Sequence, residues 1–505
     1  MFDLFKLHFE KEDLFPESWI CFEGYNINII LNNLVKELCF AYKTSHYQIG
    51  KKIAHKTGLC ISAVLNYLRY KNHFPIPLMN SIIVIWSDKL KKKQEDIEEV
   101  KKKILTNIKY LKLNNSLSVK IKPLSKIDKH LAYFLGAHAA DGMISIHVSF
   151  ANKNKKNLKK FKCCLEKYLE QKIVNNIYFD NYKKVHVLGI SVNNELNKKV
   201  SDFLANNTLV ASRKLSVKRE FRWKLVDGHC SSVKQLRNII KYIFALNLKL
   251  KEEKNSKAFK LETKNKILVR YLHCFFEFPY GKKSRIVDEP NVLKKSNLSK
   301  RNAFLRGVFT FDGSITRNGT ISLQLYSEPM ISSIKEILSK NSMTFKCYAT
   351  KRKSFCIQKQ GKSPKWLFVF EKRTEKWKKL NFIIKKQSNI KCKDKKEFIE
   401  QLSEIYPKNA STKISIENLF KICKLLKVFD LEIYCDYLEK NLNIKITKGT
   451  LLRNLEILER SKILNRSKKT KYFLRKKGRQ AGTKGAVIKN ILKFNPKISE
   501  WVLPY

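Results

Sequence analysis

The chain has 505 residues, 43% of them hydrophobic, which is enough for several domains with substantial cores and excludes a chain that stays unfolded. Its 103 Lys and Arg against 44 Asp and Glu leave a formal charge of +59. Such an excess repels itself unless a polyanion neutralises it, so nucleic acid is the expected partner.

The twelve cysteines are scattered, with no Cys-x-x-Cys pair and no Cys/His cluster at zinc spacing. They read as core thiols in a reducing compartment, which suggests an intracellular setting, cytoplasmic or nucleoid-associated. The opening MFDLFKLHFEKEDLF mixes acids and bases and does not read as a signal peptide. No run of about eighteen apolar residues occurs, so no membrane span is expected.

Residues 1–90 carry a helical pattern. Within 45–71, SHYQIGKKIAHKTGLCISAVLNYLRYK places Ala54, Gly58, Val64 and Leu68 at helix-turn-helix spacing. Ala54 permits a close crossing, Gly58 opens the turn, and Val64 and Leu68 face inward. Ser62, Ala63, Asn66 and Arg69 are then available to a major groove. A plain helical hairpin gives the same spacing. The run SIIVIW (Ser81 to Trp86) is too short to span a membrane and reads as core. Residues 91–120 mix charges at helical spacing and read as a charged helical linker.

From about 121 to 391 helices and strands alternate. Strands are expected at MISIHVSF, KVHVLGISV, EFRWKLV, AFKLETKN and TISLQLYS, and near TFKCYATK and KWLFVFEK. Helices are expected between them. Two segments, KKVHVLGISVNNELNKKVSDFLANN and KAFKLETKNKILVRYLHCFFEF, have the same pattern, and one of them is surplus to a simple repeat. Residues 394–480 return to three helices and a basic ribbon, the pattern of a winged helix. Thr447 to Glu459 is its recognition element, and Lys448, Arg453, Lys468 and Lys469 are its candidate DNA contacts. Residues 481–505 read as a tail.

Two stretches repeat. FLGAHAADGMI begins at Phe134 and FLRGVFTFDGSI at Phe304, and each is a short apolar helix closed by Asp-Gly. On a helix Gly136 and Ala140 share a face, and Gly307 occupies the equivalent face of the second copy, with Phe311 standing where the first copy has Ala140. Two such helices can pack side by side and bring Asp141 and Asp312 together. A carboxylate at a helix C-terminus opposes the helix dipole, and two together repel. Hard cations between them resolve both problems: Mg²⁺, with Mn²⁺ as a substitute, takes oxygen ligands and can serve phosphodiester hydrolysis. An Asp-Gly after a helix can also be a capping turn, with Gly142 or Gly313 in left-handed geometry. His138, in mid-motif, reads as a helix-face or core residue.

These paired stretches, Phe134 to Gly142 and Leu305 to Gly313, resemble the motifs of the LAGLIDADG homing endonucleases in their single-chain, two-motif form. The approach PLSKIDKHLAYFLGAHAADG and the run FPYGKKSRIVDEPNVLKKSNLSKRNAFLRGVFTFDGSI are similar to the family's run-ins. The resemblance covers about 121–391. It implies an α+β fold of two pseudo-symmetric αββαββα half-domains, 121–300 and 301–391, with antiparallel saddle sheets over DNA, flanked by helical DNA-binding modules.

The activity it implies is Mg²⁺-dependent double-strand cleavage of a specific DNA site, by a monomer using internal pseudo-two-fold symmetry. Asp141 and Asp312 would be the metal-binding acids. A catalytic lysine closing each half is also implied: Lys283 or its neighbour Lys282 in the first, Lys386 or Lys385 in the second. If the earlier surplus segment closes the first half, Arg213 and Lys214 take the place of Lys282 and Lys283. With Met1 at the start and WVLPY at the end, the chain reads as free-standing rather than intein-borne. Two alternatives use the same scaffold: a non-cleaving DNA-binding regulator and an RNA maturase.

Overall fold

The computed structural model describes residues 2–387, apart from 10–11, 14–15, 71–72, 115–118, 208–214, 254–257, 317–319, 351–352, 360–363 and 373. Beyond 387 it describes 418–419, 421–423, 428–429, 431–444, 446–447, 449, 451–452, 455 and short strands. The chain divides into two compact units. One is Met1–Thr316 with Thr320–Thr374, and the other is Glu375–Tyr505 with Arg317–Gly319.

The first unit opens with β1 (Ile20–Glu23), α1 (Tyr25–Tyr42), α2 (His46–Thr57), α3 (Ile61–Tyr70), β2 (His73–Pro75), α4 (Ile76–Leu90), α5 (Gln94–Thr106) and β3 (Tyr110–Leu113). The three strands form an antiparallel sheet in the order β2-β1-β3. Ser45 caps α2 by accepting from the Gln48 amide, and Gly58 ends it at φ +68°, a conformation glycine adopts without strain. Ala54, Val64 and Leu68 are buried between these helices; of SIIVIW, Ser81, Ile82, Ile83 and Trp86 are buried on α4 and Val84 is exposed. The stretch read as a charged linker does more than connect. Val100 and Ile104 of α5 are buried, and Tyr110–Leu113 pairs with β1.

Next come α6 (Lys129–Asp141), β4 (Gly142–Asn152), α7 (Lys155–Leu169), β5 (Tyr178–Asp180), β6 (Val185–Val192) and α8 (Asn194–Ala205). They are followed by β7 (Ser216–Asp227), α9 (Cys230–Phe244), β8 (Leu250–Glu252), β9 (Phe259–Thr263) and α10 (Lys266–Cys274). All six strands are antiparallel, in the order β5-β6-β4-β7-β9-β8. Strand alternation puts Ile144, Ile146, Val148 and Phe150 of β4 in the core with Phe221, Trp223 and Leu225 of β7. The helices bury their apolar stripes on this face; Phe150 meets Phe161 of α7 at 4.9 Å between ring centroids.

The remainder of the unit is α11 (Asn291–Lys294), α12 (Leu298–Asp312), β10 (Ser314–Ile315), β11 (Ile321–Leu325), α13 (Glu328–Lys340), β12 (Phe345–Ala349) and β13 (Phe355–Lys359). Its sheet runs β10-β11-β13-β12, again antiparallel. Counted from the helix that leads into each sheet, β4-β7-β9-β8 and β10-β11-β13-β12 have the same strand order. The segment from α7 to α8 is inserted between the first and second strands of the earlier sheet and adds β6 and β5 beyond β4. AFKLETKN, not KVHVLGISV, supplies the strand that pairs with β7.

The strand expected at KWLFVFEK is instead a 3-10 turn, Pro364–Val369. Trp366 and Val369 of this turn and Phe370 just after it are buried at helical spacing, and the Trp366 and Phe370 rings pack on Phe309 of α12 at 6.2 and 6.1 Å. Phe355–Lys359 takes the strand position because it can pair on both sides, with β11 and with β12.

In the second unit, α14 (Glu375–Gln387) and α15 (Leu431–Leu442) are the described helices of any length, with short strand pairs such as Tyr472–Leu474 with Leu492–Phe494. Leu419, Cys423, Leu431, Tyr434, Leu438, Leu451 and Leu455 are buried. Most of the stretch expected to be a winged-helix recognition element lies outside the described residues. No helix among the described residues is long and apolar enough to cross a membrane.

Candidate functional site

Both copies of the repeated stretch are helices, α6 and α12. Asp128 caps α6 by accepting from Leu131 N at 2.8 Å, and Asn297 caps α12 by accepting from Lys300 N at 3.2 Å. Every residue of α6 from Leu131 to Ala139 is buried, as are Ala303, Phe304, Leu305, Gly307, Val308 and Phe309 of α12. Helices apolar all round belong in an interior, and these two pack on each other.

They touch through their main chains. A Cβ on Gly136 would sit 2.0 Å from the Phe304 carbonyl oxygen and 3.1 Å from Gly307 Cα. A Cβ on Gly307 would sit 2.2 Å from the Tyr133 carbonyl oxygen and 2.9 Å from Gly136 C. Phe311 does not force the helices apart: it is buried, at 4% exposure, while the glycine contact is kept. Ala140 is half-buried.

Asp141 and Asp312 are the last residues of α6 and α12, and both are half-buried. The glycine after each is not a left-handed cap. Gly142 (φ −75°, ψ 151°) and Gly313 (φ −67°, ψ 145°) are extended and lead directly into strands. Crowding requires glycine at both places, because a Cβ would lie 2.1 Å from His138 Nδ1 at Gly142 and 2.4 Å from the Phe309 carbonyl oxygen at Gly313.

Lys283 turns into the end of α6, whereas Lys282 is exposed. Lys283 Nζ donates to the carbonyl oxygens of Ala139 and of Ala140, the latter at 2.8 Å, satisfying acceptors that the helix end leaves without amide partners. Burial pushes its ammonium down to about 8, while Asp312 and Asp141 both pull the other way. One cation therefore lies within the field of both carboxylates. Arg213 and Lys214, the alternatives, lie outside the described residues, as do the side chains of Lys385 and Lys386.

His138 is a core residue. It is fully buried, accepts from Trp223 Nε1 at Nδ1 (3.1 Å), and meets the Phe278 ring edge-on at 4.5 Å. Burial holds its imidazole well below the usual range, and Lys283 adds to this, so it stays neutral. Nothing in the sequence marked two further supports. Arg301 at the start of α12 is buried and donates to Glu289 at 2.9 and 2.6 Å and to Glu336 at 2.7 and 3.0 Å. Asp13 is buried against Lys266 and Arg270 of α10, with Arg270 also holding Glu12 at 2.8 Å.

Among the helix-turn-helix candidates, Ser62, Asn66 and Arg69 are all exposed on α3 and Ala63 is half-buried. Lys448, Arg453, Lys468 and Lys469 lie outside the described residues. Among the described residues no three His, Cys, Asp or Glu side chains gather to hold a metal by themselves. Carboxylates such as those of Asp141 and Asp312, without thiolate or imidazole, would make a hard, all-oxygen donor set. That set suits Mg²⁺ or Mn²⁺ if substrate and water complete the shell.

No family model matches the chain, and no curated protein matches it in sequence. Solved structures are similar to parts of it. I-DmoI in complex with DNA and Mn is 12% identical, with a TM-score of 0.23, over 28% of this chain and 76% of its own. The N-terminal LAGLIDADG domain of DUF199/WhiA is 15% identical, with a TM-score of 0.21, over 29% of this chain and 70% of its own. Full-length DUF199/WhiA from Thermatoga maritima is 16% identical, with a TM-score of 0.23, over 47% of this chain and 84% of its own.

Proposed function

We propose that the chain binds duplex DNA and cuts it at a specific site, with a divalent cation held at Asp141 and Asp312. One observation carries the reading. Two glycine-paired helices end in aspartates, and a single half-buried lysine feels both. For stability alone this arrangement is unfavourable, since each carboxylate lies at the negative end of a helix. The shared strand order of the two sheets supports two halves around a pseudo-two-fold axis, and hence action as a monomer. The charge of +59 supports a polyanionic partner.

The aspartates would hold the cation by their carboxylate oxygens. When bound, Mg²⁺ supplies a Lewis acid and an activated water. Lys283 is fixed by two main-chain acceptors, so its charge is aimed by the backbone. Below about pH 8 it presents an ammonium that can stabilise charge on a phosphodiester oxygen. Exposed Ser62, Asn66 and Arg69 on α3 would add contacts to a major groove.

The test is incubation of the purified chain with Mg²⁺ and a plasmid carrying the DNA that surrounds its own gene. Linear product is the expected result. A second reading, a non-cleaving regulator, has one observation in its favour: Lys283 already offsets the two carboxylates without any metal. Tight binding with no cutting, in Mg²⁺ and in Mn²⁺ alike, would establish that reading and overturn the first.

A further inference from the structure

Lys283 reaches the end of α6 on a short segment, 275–283, that leaves α10 and is tied down along its course. The Phe278 amide donates to the Leu272 carbonyl oxygen at 3.1 Å, the Tyr280 amide to Asn194 Oδ1 at 2.8 Å, and the Gly281 amide to the Ile144 carbonyl oxygen at 2.8 Å. Phe276, Phe278 and Tyr280 are buried. Glu277 stands at φ +60°, a left-handed conformation that a residue other than glycine keeps only where its surroundings impose it.

The arm that opens the chain, from Phe2 to Trp19, packs against both α10 and this segment. The Phe2 ring lies 5.1 Å from Phe275 and 5.7 Å from Phe276. Arg270 of α10, fully buried, donates to the Leu7 carbonyl oxygen at 3.1 Å, to Glu12 at 2.8 Å and to Asp13 at 3.2 Å. Lys266 of α10 holds Asp13 and donates to the Ser18 carbonyl oxygen at 2.6 Å. Buried charges of this kind hold as a set, since removing one partner strands the others away from water. The arm is also part of the N-terminal sheet. Phe5 meets Phe22 of β1 at 5.2 Å, Trp19 Nε1 donates to the Asp13 carbonyl oxygen at 2.9 Å, and Trp19 is followed directly by β1.

We propose that this arm is a positioning element for Lys283. It seats α10 through Glu12 and Asp13 and braces 275–283 through Phe2, and so joins the module that carries α3 to the end of α6. The aspartates are placed by the glycine contact of α6 and α12, whereas the lysine is placed by the arm. A load on the N-terminal module that loosens the arm therefore withdraws the lysine and leaves the aspartates where they are. The consequence for cutting rests on the reading of Asp141, Asp312 and Lys283 as a cleavage centre; the positioning itself does not.

The experiment uses the full chain in four forms: unmodified, Phe2→Ala, Glu12→Gln, and a control, Ile83→Val, which removes one methylene from the buried side of α4. Phe2 is half-buried, so its variant guards against misfolding of Glu12→Gln. Hydrogen exchange read by mass spectrometry should speed up by about tenfold or more over 275–283 in the arm variants. The strands β4 and β7 should keep their protection, and the control should match the unmodified chain over 275–283. Reductive methylation should label Lys283 more slowly than its exposed neighbour Lys282 in the unmodified chain, and at a similar rate in the arm variants. Faster exchange confined to 275–283 in either arm variant supports the proposal. Unchanged exchange and labelling in both overturn it, and so does an acceleration spread evenly over β4, β7 and 275–283, which marks general destabilisation. Plasmid cutting is measured on the same preparations. An unmodified chain that cuts should do so more slowly at saturating DNA once the arm is altered, and equal rates overturn the link from arm to centre. An unmodified chain that never cuts overturns the cleavage reading, while exchange and labelling still decide the positioning.

Discussion

Gly136 and Gly307 pack main chain against main chain, with Gly136 C only 2.9 Å from where a Cβ on Gly307 would stand. A methyl group at either position meets backbone, which cannot rotate away. Gly136→Ala and Gly307→Ala should each destabilise the first unit by about 1–3 kcal/mol or more. Gly228→Ala, where nothing lies within 4 Å of the added Cβ, should be close to neutral. Chemical unfolding followed by fluorescence checks the contrast, and equal effects at the three glycines would remove the close contact from the account.

Asp141→Asn and Asp312→Asn keep size and remove charge. Each should reduce plasmid cutting to background while leaving duplex affinity within a few fold, because neither side chain is needed for phosphate attraction. Mobility shift and cleavage assays on the same preparations separate the two effects. Loss of binding together with cutting would assign the aspartates to folding instead.

Asp13 gives the clearest pH signature. Burial alone would raise its carboxyl, but Arg270 and Lys266, with help from His8, hold it well below the usual range. A depressed folded pKa gives stability that is present above the unfolded value of about 4 and is lost as pH falls below it. Asp13→Asn should therefore cost about 3–5 kcal/mol near neutrality, since it strands two buried cations. The gap between variant and unmodified chain should close as pH drops below about 4. Unfolding midpoints at a series of pH values measure the gap, and a gap that does not change with pH contradicts the assignment.

Arg69→Ala tests α3 as a reading helix. With Arg69 exposed, the substitution should leave stability unchanged within about 0.5 kcal/mol. It should weaken duplex binding by about 1–3 kcal/mol if the guanidinium reaches a base, with loss of discrimination between sequences. Uniform weakening across sequences, with a salt slope lowered by about one, marks a phosphate contact instead.

The helix pair was legible because its information is local: a glycine, an aspartate and a closing glycine at nearly fixed spacing, repeated in a chain with few glycines. The choice between Lys282 and Lys283 was not legible. Adjacent residues share composition and context, and only the path of the chain after α10 turns one toward the Ala139 and Ala140 carbonyls. The surplus segment was ambiguous because Val185–Val192 and Phe259–Thr263 both suit a buried strand. Which one pairs with β7 depends on contacts far apart in sequence. KWLFVFEK was misread for a related reason. A short apolar run fits either period, and its rings are held by Phe309 rather than by strand neighbours. Asp13 and Arg301 carry no local pattern, since a buried charge is recognised by the partner folded against it.

The direct passage from Asp141 to Gly142 has a mechanical consequence. No loop lies between the last residue of α6 and the first of β4, and β4 is hydrogen-bonded along most of its length on both sides. The second junction is looser: Gly313 separates Asp312 from β10 (Ser314–Ile315), a two-residue edge strand paired only with β11. The Asp141 carboxylate is thus the fulcrum of a stiff lever whose long arm is a sheet, while the Asp312 carboxylate is tied to its own sheet by two paired residues. A load that bends the six-stranded sheet is therefore delivered to Asp141 with less slack than a load on the smaller sheet delivers to Asp312.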